Sequence, residues 1–347
     1  MCFPNLIPNR FSFQGRIALG SLLFILVLMF QGTTLAQETV HLRSPTNAGS
    51  LAKIQGTVLE YNGSTIQIEL PTGQTLQYPS DRVEKIETEH STAYLSALDS
   101  LTGGNEAAAL RGFQTALQQE TRGWVRREIL AHQVQCYQRL QQPISAAHTF
   151  LLLWESDPQT PYFDRIPLRW HAEELSQADE QQAKRWMENP ENPAAQLLGA
   201  SFLLNRYPQS AQETLRRLES TSRPYLPALA KAQGWRAELV TNSVQVPAWD
   251  TALESIPEEL RGGPLLVVGQ AWLRQKEYES AALRLMEAAI LYPEQTQVAA
   301  QALHDAGLVM AAMNQPDEAA RLWQELIERF PQQNRLVQQA RQRLQQF

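Results

Sequence analysis

Cysteine is almost missing from this chain of 347 residues. The two present are Cys2 and Cys136, and Cys2 precedes a long apolar run, so only Cys136 belongs to the body of the sequence. One thiol makes no internal bridge, and stability must come from packing. There is no HExxH and no CxxC, the spacings that commonly hold zinc or run thiol chemistry. Positive charge is also short. The chain carries 30 Lys and Arg against 36 Asp and Glu, a net charge of −6, which argues against a nucleic-acid partner. No serine, threonine or cysteine is patterned as a nucleophile beside a base. Ser50 and Lys53 have the SxxK spacing, but they sit at the mouth of a strand and no SDN or KTG follows. Gly103-Gly104-Asn105 has no strand before it and no Lys after it, so it reads as a helix–helix turn and not a phosphate cradle. Glu128, His132 and Cys136 share one helical face at steps of four, which reads as a surface histidine near a buried, inert thiol rather than a metal site. No cofactor and no metal is expected.

The first 36 residues differ in kind from the rest. Arg10 and Arg16 stand before an apolar run of 14 residues, Ile17–Phe30, and no acid is present. That run is short of the roughly 20 residues a bilayer span needs. Thr34-Leu35-Ala36 then offers small residues where a signal peptidase reads. The expectation is a signal peptide over 1–36, cleaved after Ala36, and an exported protein, periplasmic or attached to a bacterial envelope. Residues 37–50, with Pro45, Asn47 and Gly49, read as a flexible lead-in.

Between 51 and 90 the apolar period is two. Ile54 to Tyr61, Thr65 to Leu70, Thr75 to Tyr78 and Val83 to Ile86 read as four short strands. Asn62-Gly63 reads as a two-residue hairpin turn, because both residues accept positive φ. A β-meander this small is marginal alone and should lean on the first helices. Its pattern looks like an SH3-like or Sm-like barrel.

From 91 onward the period is helical, and the chain repeats itself. Gly269, Ala281, Leu285, Ala288 and Pro293 are answered 38 residues later by Gly307, Ala319, Trp323, Leu326 and Pro331. Each unit reads as two helices stopped by proline, with the small residues at the crossing, Gly269 facing Ala281 and Gly307 facing Ala319. Upstream copies are Gly199, Ala211, Leu215 and Leu218; Val134, Ala146, Phe150, Leu153 and Pro158; and Ala97, Ala109, Phe113 and Ala116. Self-similarity at this period marks a helical-repeat architecture. Leu168–Met187 is read as one further helix, and Leu336, Val337, Ala340 and Leu344 mark a capping helix with a polar outer side. The stretch 156–170 breaks the pattern with three prolines and three aromatics, either a functional surface loop or a strap filling a groove.

The spacing of small and large residues resembles the tetratricopeptide repeat (TPR) family. The resemblance covers about 250 residues and lacks the tryptophan early in each unit. It implies a mostly α chain, a helical-hairpin solenoid over 91–347 behind the small β module, and a non-enzymatic scaffold that receives a peptide or protein. First helices of the units would line the concave face. The partner-binding candidates are therefore Gln135, Gln138, Gln196, Gln270, Gln301 and His304, surface positions off the packing stripe. Arg126 and Arg127 add a cationic spot, in competition with simple ion pairing. An alternative makes the β module the ligand binder and the helices a spacer. A hydrolase using Asp157 and Asp164 of the Pro-rich stretch ranks last.

Overall fold

A computed structural model describes residues 37–44, 51–172, 174–241 and 245–346. The expected signal segment and its cleavage point lie outside the described residues. The described chain is mostly helical, with a small five-stranded antiparallel sheet at its N-terminal side. No helix among the described residues is long and apolar enough to cross a membrane.

The sheet contains β1 Glu38–Arg43, β2 Leu51–Tyr61, β3 Thr65–Glu69, β4 Thr75–Pro79 and β5 Val83–Glu87, in the order β4-β3-β2-β1-β5. A 3-10 turn, Ser80–Arg82, links β4 to β5. The lead-in expected over 37–50 is, in its first half, a strand between two others: β1 pairs with β2 and with β5. Val40 and Leu42 face the core, while Glu38 is buried as a structural acceptor. Its carboxylate takes the Val58 N–H at 2.9 Å and a guanidinium N–H of Arg122 at 3.2 Å. A buried carboxylate with such partners is tolerated where a bare one is not.

The β2–β3 hairpin also differs from its expected form. Asn62 and Gly63 are not in the positive-φ region. The Asn62 side chain instead accepts the N–H groups of Ser64 and Thr65 at 2.9 and 3.0 Å. Gly63 is needed for closeness: an added Cβ would lie 1.5 Å from the carbonyl oxygen of Gln159.

Fourteen helices are described. They are α1 Thr92–Thr102, α2 Glu106–Gln119, α3 Gly123–Arg139, α4 Pro143–Ser156, α5 Gln177–Met187, α6 Pro193–Leu203 and α7 Pro208–Leu218. The rest are α8 Leu226–Thr241, α9 Val246–Ala252, α10 Gly262–Gln275, α11 Tyr278–Leu291, α12 Thr296–Ala312, α13 Pro316–Arg329 and α14 Asn334–Leu344. Ser91, Asn105, Ser176 and Asn192 cap their helices with side-chain oxygens. Prolines open α4, α6, α7 and α13, where a missing N–H costs nothing.

Four hairpins share one turn. Gly104, Gln141, Lys276 and Asn314 are left-handed, with φ of 73°, 56°, 64° and 61°. In each, the next residue's N–H returns to a carbonyl five positions back: Asn105 to Ser100, Gln142 to Tyr137, Glu277 to Trp272 and Gln315 to Met310. This is a Schellman closure of the first helix. The α6–α7 connection, which belongs to the Gly199 copy, does not use it.

Glycine sits at the crossings for a different partner than expected. A Cβ on Gly269 would lie 2.7 Å from Leu285, and one on Gly307 would lie 2.3 Å from Trp323. The glycine thus makes room for the large residue of the second helix, not for its small one. Gly199 abuts the backbone of α5, at Met187 and Ala183, and not α7.

Two apolar cores result. Val58, Ile66 and Ile68 of the sheet share one with Tyr94, Phe113, Trp124 and Ile129 of α1–α3, so sheet and first helices bury a common surface. The second runs from α3 to α14.

Residues 157–172 are a strap, and its aromatics pack inward. Phe163, Ile166, Leu168 and Trp170 are all buried in the second core. Phe163 meets Phe150, Trp154 and Tyr225 edge-on or tilted. The helix expected over Leu168–Met187 begins only at Gln177. Before it, the main chain of Arg169 is bonded by distant side chains, which override local helical preference. Ser201 Oγ accepts the Arg169 N–H at 2.8 Å, and the Arg169 carbonyl accepts from Gln233 at 3.0 Å and Arg236 at 2.6 Å.

Candidate functional site

The strap decides what remains open. Its main chain is paired by Ser201 of α6 and by Gln233 and Arg236 of α8, and its Trp170 indole lies where a Cβ on Gly263 of α10 would fall, 1.9 Å away. The face those helices turn toward the strap is therefore occupied by the chain itself. Arg236 is buried, and burial with the nearby Arg169 lowers its guanidinium to about 9, still protonated at neutral pH.

Among the described residues, two sizeable clefts lie beside the strap. The larger, about 840 Å³, opens at the strap's end. Its apolar surface comes from Phe202, Leu175 and Leu336. Side-chain amides surround that surface: Gln141 from the α3–α4 turn, Asn205 after α6, Gln297 on α12, and Gln333 and Asn334 at the start of α14. Arg206 and Arg335 add two cations, Glu174 and Glu180 two acids. Glu180 is engaged by Lys184 at 2.8 Å and by the Tyr207 hydroxyl at 2.5 Å. His171 lines the same cleft, and its imidazole is lowered to about 3, by burial first and then by Arg169 and Arg335.

The eight sequence candidates fall in four places. Gln270, Gln301 and His304 come together on one carboxylate, Asp305, at 2.7, 2.9 and 2.9 Å. Gln301 also accepts from Arg335 at 3.1 Å. Gln301 and His304 are buried, so they are not the surface positions expected; they hold α10, α12 and α14 together beneath the larger cleft. Gln135, likewise buried, donates to Glu294 at 2.7 Å, while Gln138 lines the second cleft. Gln196 is half-buried on α6 and lines neither of these two clefts.

Arg126 and Arg127 lie toward the sheet. Arg126 donates to the carbonyls of Leu117 and Glu120 at 2.6 and 2.9 Å, capping the end of α2. Arg127 is buried and ties α3 to β2 through the Glu60 carboxylate and the Tyr61 carbonyl. Neither makes a free cationic spot. Asp157 is buried too, accepting the N–H groups of Gly63 at 2.9 Å and Gln159 at 3.1 Å, a structural use.

The Glu128–His132–Cys136 face is enclosed. The Tyr94 hydroxyl donates to Glu128 at 3.0 Å and lies 3.3 Å from His132 Nε2. Burial pushes the Cys136 thiol up to about 12 and His132 down to about 4. Among the described residues no group of three or more such side chains is placed to hold a metal ion.

Asp305, Arg236 and the amides of the larger cleft were not singled out from the sequence. A carboxylate inside an apolar helix, such as Asp305 between His304 and Ala306, was the available signal. The sequence matches no protein-family model and no curated protein.

Proposed function

We propose that this protein is a non-enzymatic binding scaffold, exported to a bacterial envelope, whose TPR-like helical hairpins hold a peptide or protein in the larger cleft. The observation that carries the reading is the lining of that cleft. Five side-chain amides from four separate segments ring an apolar floor. An amide both donates and accepts, as every residue of an extended backbone does, so such a ring suits a polypeptide without demanding one sequence. The volume falls in the range of ordinary ligand pockets.

The repeat reading is supported by the four equivalent left-handed turns. Each stands seven residues after the first small position of its copy, at Ala97, Val134, Gly269 and Gly307. We take these hairpins as units of a TPR-like solenoid whose inner side is filled by the strap. The strand order, with a 3-10 turn between β4 and β5 and β5 returning to β1, supports an SH3-like barrel for the β module.

The test is selection of binding peptides on the full chain from a random library, followed by hydrogen-exchange mapping. Protection over Phe202–Arg206 and Gln333–Leu336 is expected. No protection at these two segments, or no selected peptide, would refute the cleft. One observation favours the alternative in which the β module binds: Leu51 and Leu59 are exposed on β2. Protection confined to that strand would establish it instead.

A further inference from the structure

The second cleft, about 440 Å³, runs along the earlier part of the strap and is chemically unlike the first. Its floor is apolar: Ile166, Leu168 and Trp170 from the strap, and Leu260 and Leu291 opposite. Its rim is acidic, with Asp164, Glu258, Glu259 and Glu294. Two of these acids have cationic partners. Arg165 lies 3.2 Å from Asp164, and Arg139 pairs with Glu294. The nearby Arg261 turns away and spends its N–H groups on the carbonyls of Ile256 and Glu254, at 2.6 and 3.1 Å. Glu258 and Glu259 stay exposed, and no salt bridge among the described residues reaches either carboxylate. Leu291, which lines the same cleft, is 61% exposed, an unusual value for a large apolar side chain. Burial raises the Asp164 carboxyl, with Arg165 opposing and Glu259 adding a smaller push.

We infer that this cleft is a second docking site, for a polypeptide segment that presents Lys or Arg around an aliphatic side chain. Its charge complements the rim, and its apolar side chain covers Leu291 and the strap. A polyamine would satisfy the acids but leave the floor wet. An anionic membrane surface would be repelled. The site meets the larger cleft only at Gln297, which lines both; its acids and its apolar floor are its own, so the inference is tested apart from that reading.

The probe is a fluorescein-labelled peptide of alternating Lys and Leu, titrated against the full chain by anisotropy, with a Glu/Leu peptide as control and spermine as competitor. The Lys/Leu peptide should bind at least about tenfold more tightly than the control. The combined E258Q and E259Q variant should weaken it about fivefold to tenfold, as expected for two partly screened charges. Leu291→Ser should weaken it without altering the salt dependence, and Glu318→Gln, an exposed acid on α13 that lines neither cleft, should leave it unchanged. Equal affinity for the wild type and the double Gln variant would overturn the proposal. So would spermine displacing the peptide at equal concentration, because charge alone would then account for binding. Circular dichroism of each variant confirms that the fold is kept.

Discussion

Replacing Gly263 by alanine tests whether the strap is truly seated. The new methyl would fall 1.9 Å from the Trp170 ring. Trp170 is only 7% exposed, so the indole cannot slide aside into solvent without losing its packing. Overpacking of this kind costs about 1–3 kcal/mol, and full expulsion of the indole approaches the roughly 3–5 kcal/mol of a buried Trp→Ala change. We expect Gly263→Ala to destabilise by about 2–3 kcal/mol in urea unfolding, read as a lower midpoint at unchanged slope. In a Trp170→Ala background the clash has no partner. There the same substitution should fall within about 0.5 kcal/mol of zero, because alanine suits a helix better than glycine. The coupling between the two sites should therefore exceed about 1.5 kcal/mol. Gly234, in the middle of α8, has no heavy atom within 4 Å of an added Cβ and serves as control; its alanine variant should be slightly more stable. Additive losses at 263 and 170 would refute the contact, and with it the claim that the strap closes the inner side.

Two further outcomes follow from positions already described. Lys276 holds a left-handed turn that glycine adopts without strain, so Lys276→Gly should raise stability by about 0.5–1 kcal/mol, and Asn314→Gly by less, since asparagine tolerates this region better; a loss at both would contradict the turn geometry. His132 and His171 titrate at about 4 and about 3 when folded, below the ordinary 6.5, chiefly through burial. The unfolded chain therefore binds more protons over that interval, so stability is full above pH 6.5 and falls with acid, each imidazole contributing up to about 1.4 kcal/mol per pH unit. Glu128, raised by burial, opposes this near its own titration. Urea titrations from pH 7 to 5 should show His132→Asn removing close to one proton from the slope, and an unchanged slope would count against a buried neutral imidazole.

The hairpins α10–α11 and α12–α13 were legible because the residues that mark them meet in space. Gly269 with Leu285, and Gly307 with Trp323, are sixteen apart in sequence and touch across one hairpin. The onset of helix at 91 was legible too, and Ser91 caps α1 there with its own side chain. β1 was not, because Glu38 gives it a polar look and its burial depends on Val58 and Arg122, far along the chain. The strap's aromatics were visible, but not that Ser201, Gln233 and Arg236 would take the main-chain groups of Arg169, so a helix was expected there. Of the candidates, Gln270, Gln301 and His304 meet on one carboxylate, Asp305, and neither that carboxylate nor the burial of Gln301 and His304 was visible in the sequence. The clefts were out of reach: the larger one brings Gln141 beside Gln333, and no local spacing encodes that.

The equivalence of the turns at Lys276 and Asn314 makes the chain divisible there. Excising residues 277–314 would join Lys276 directly to Gln315 across two ends of like backbone conformation. Gly269 would then meet Trp323, as Gly307 does now. A gene could lose or gain this 38-residue stretch at the seam without inventing a new junction, because both of its ends share one turn geometry.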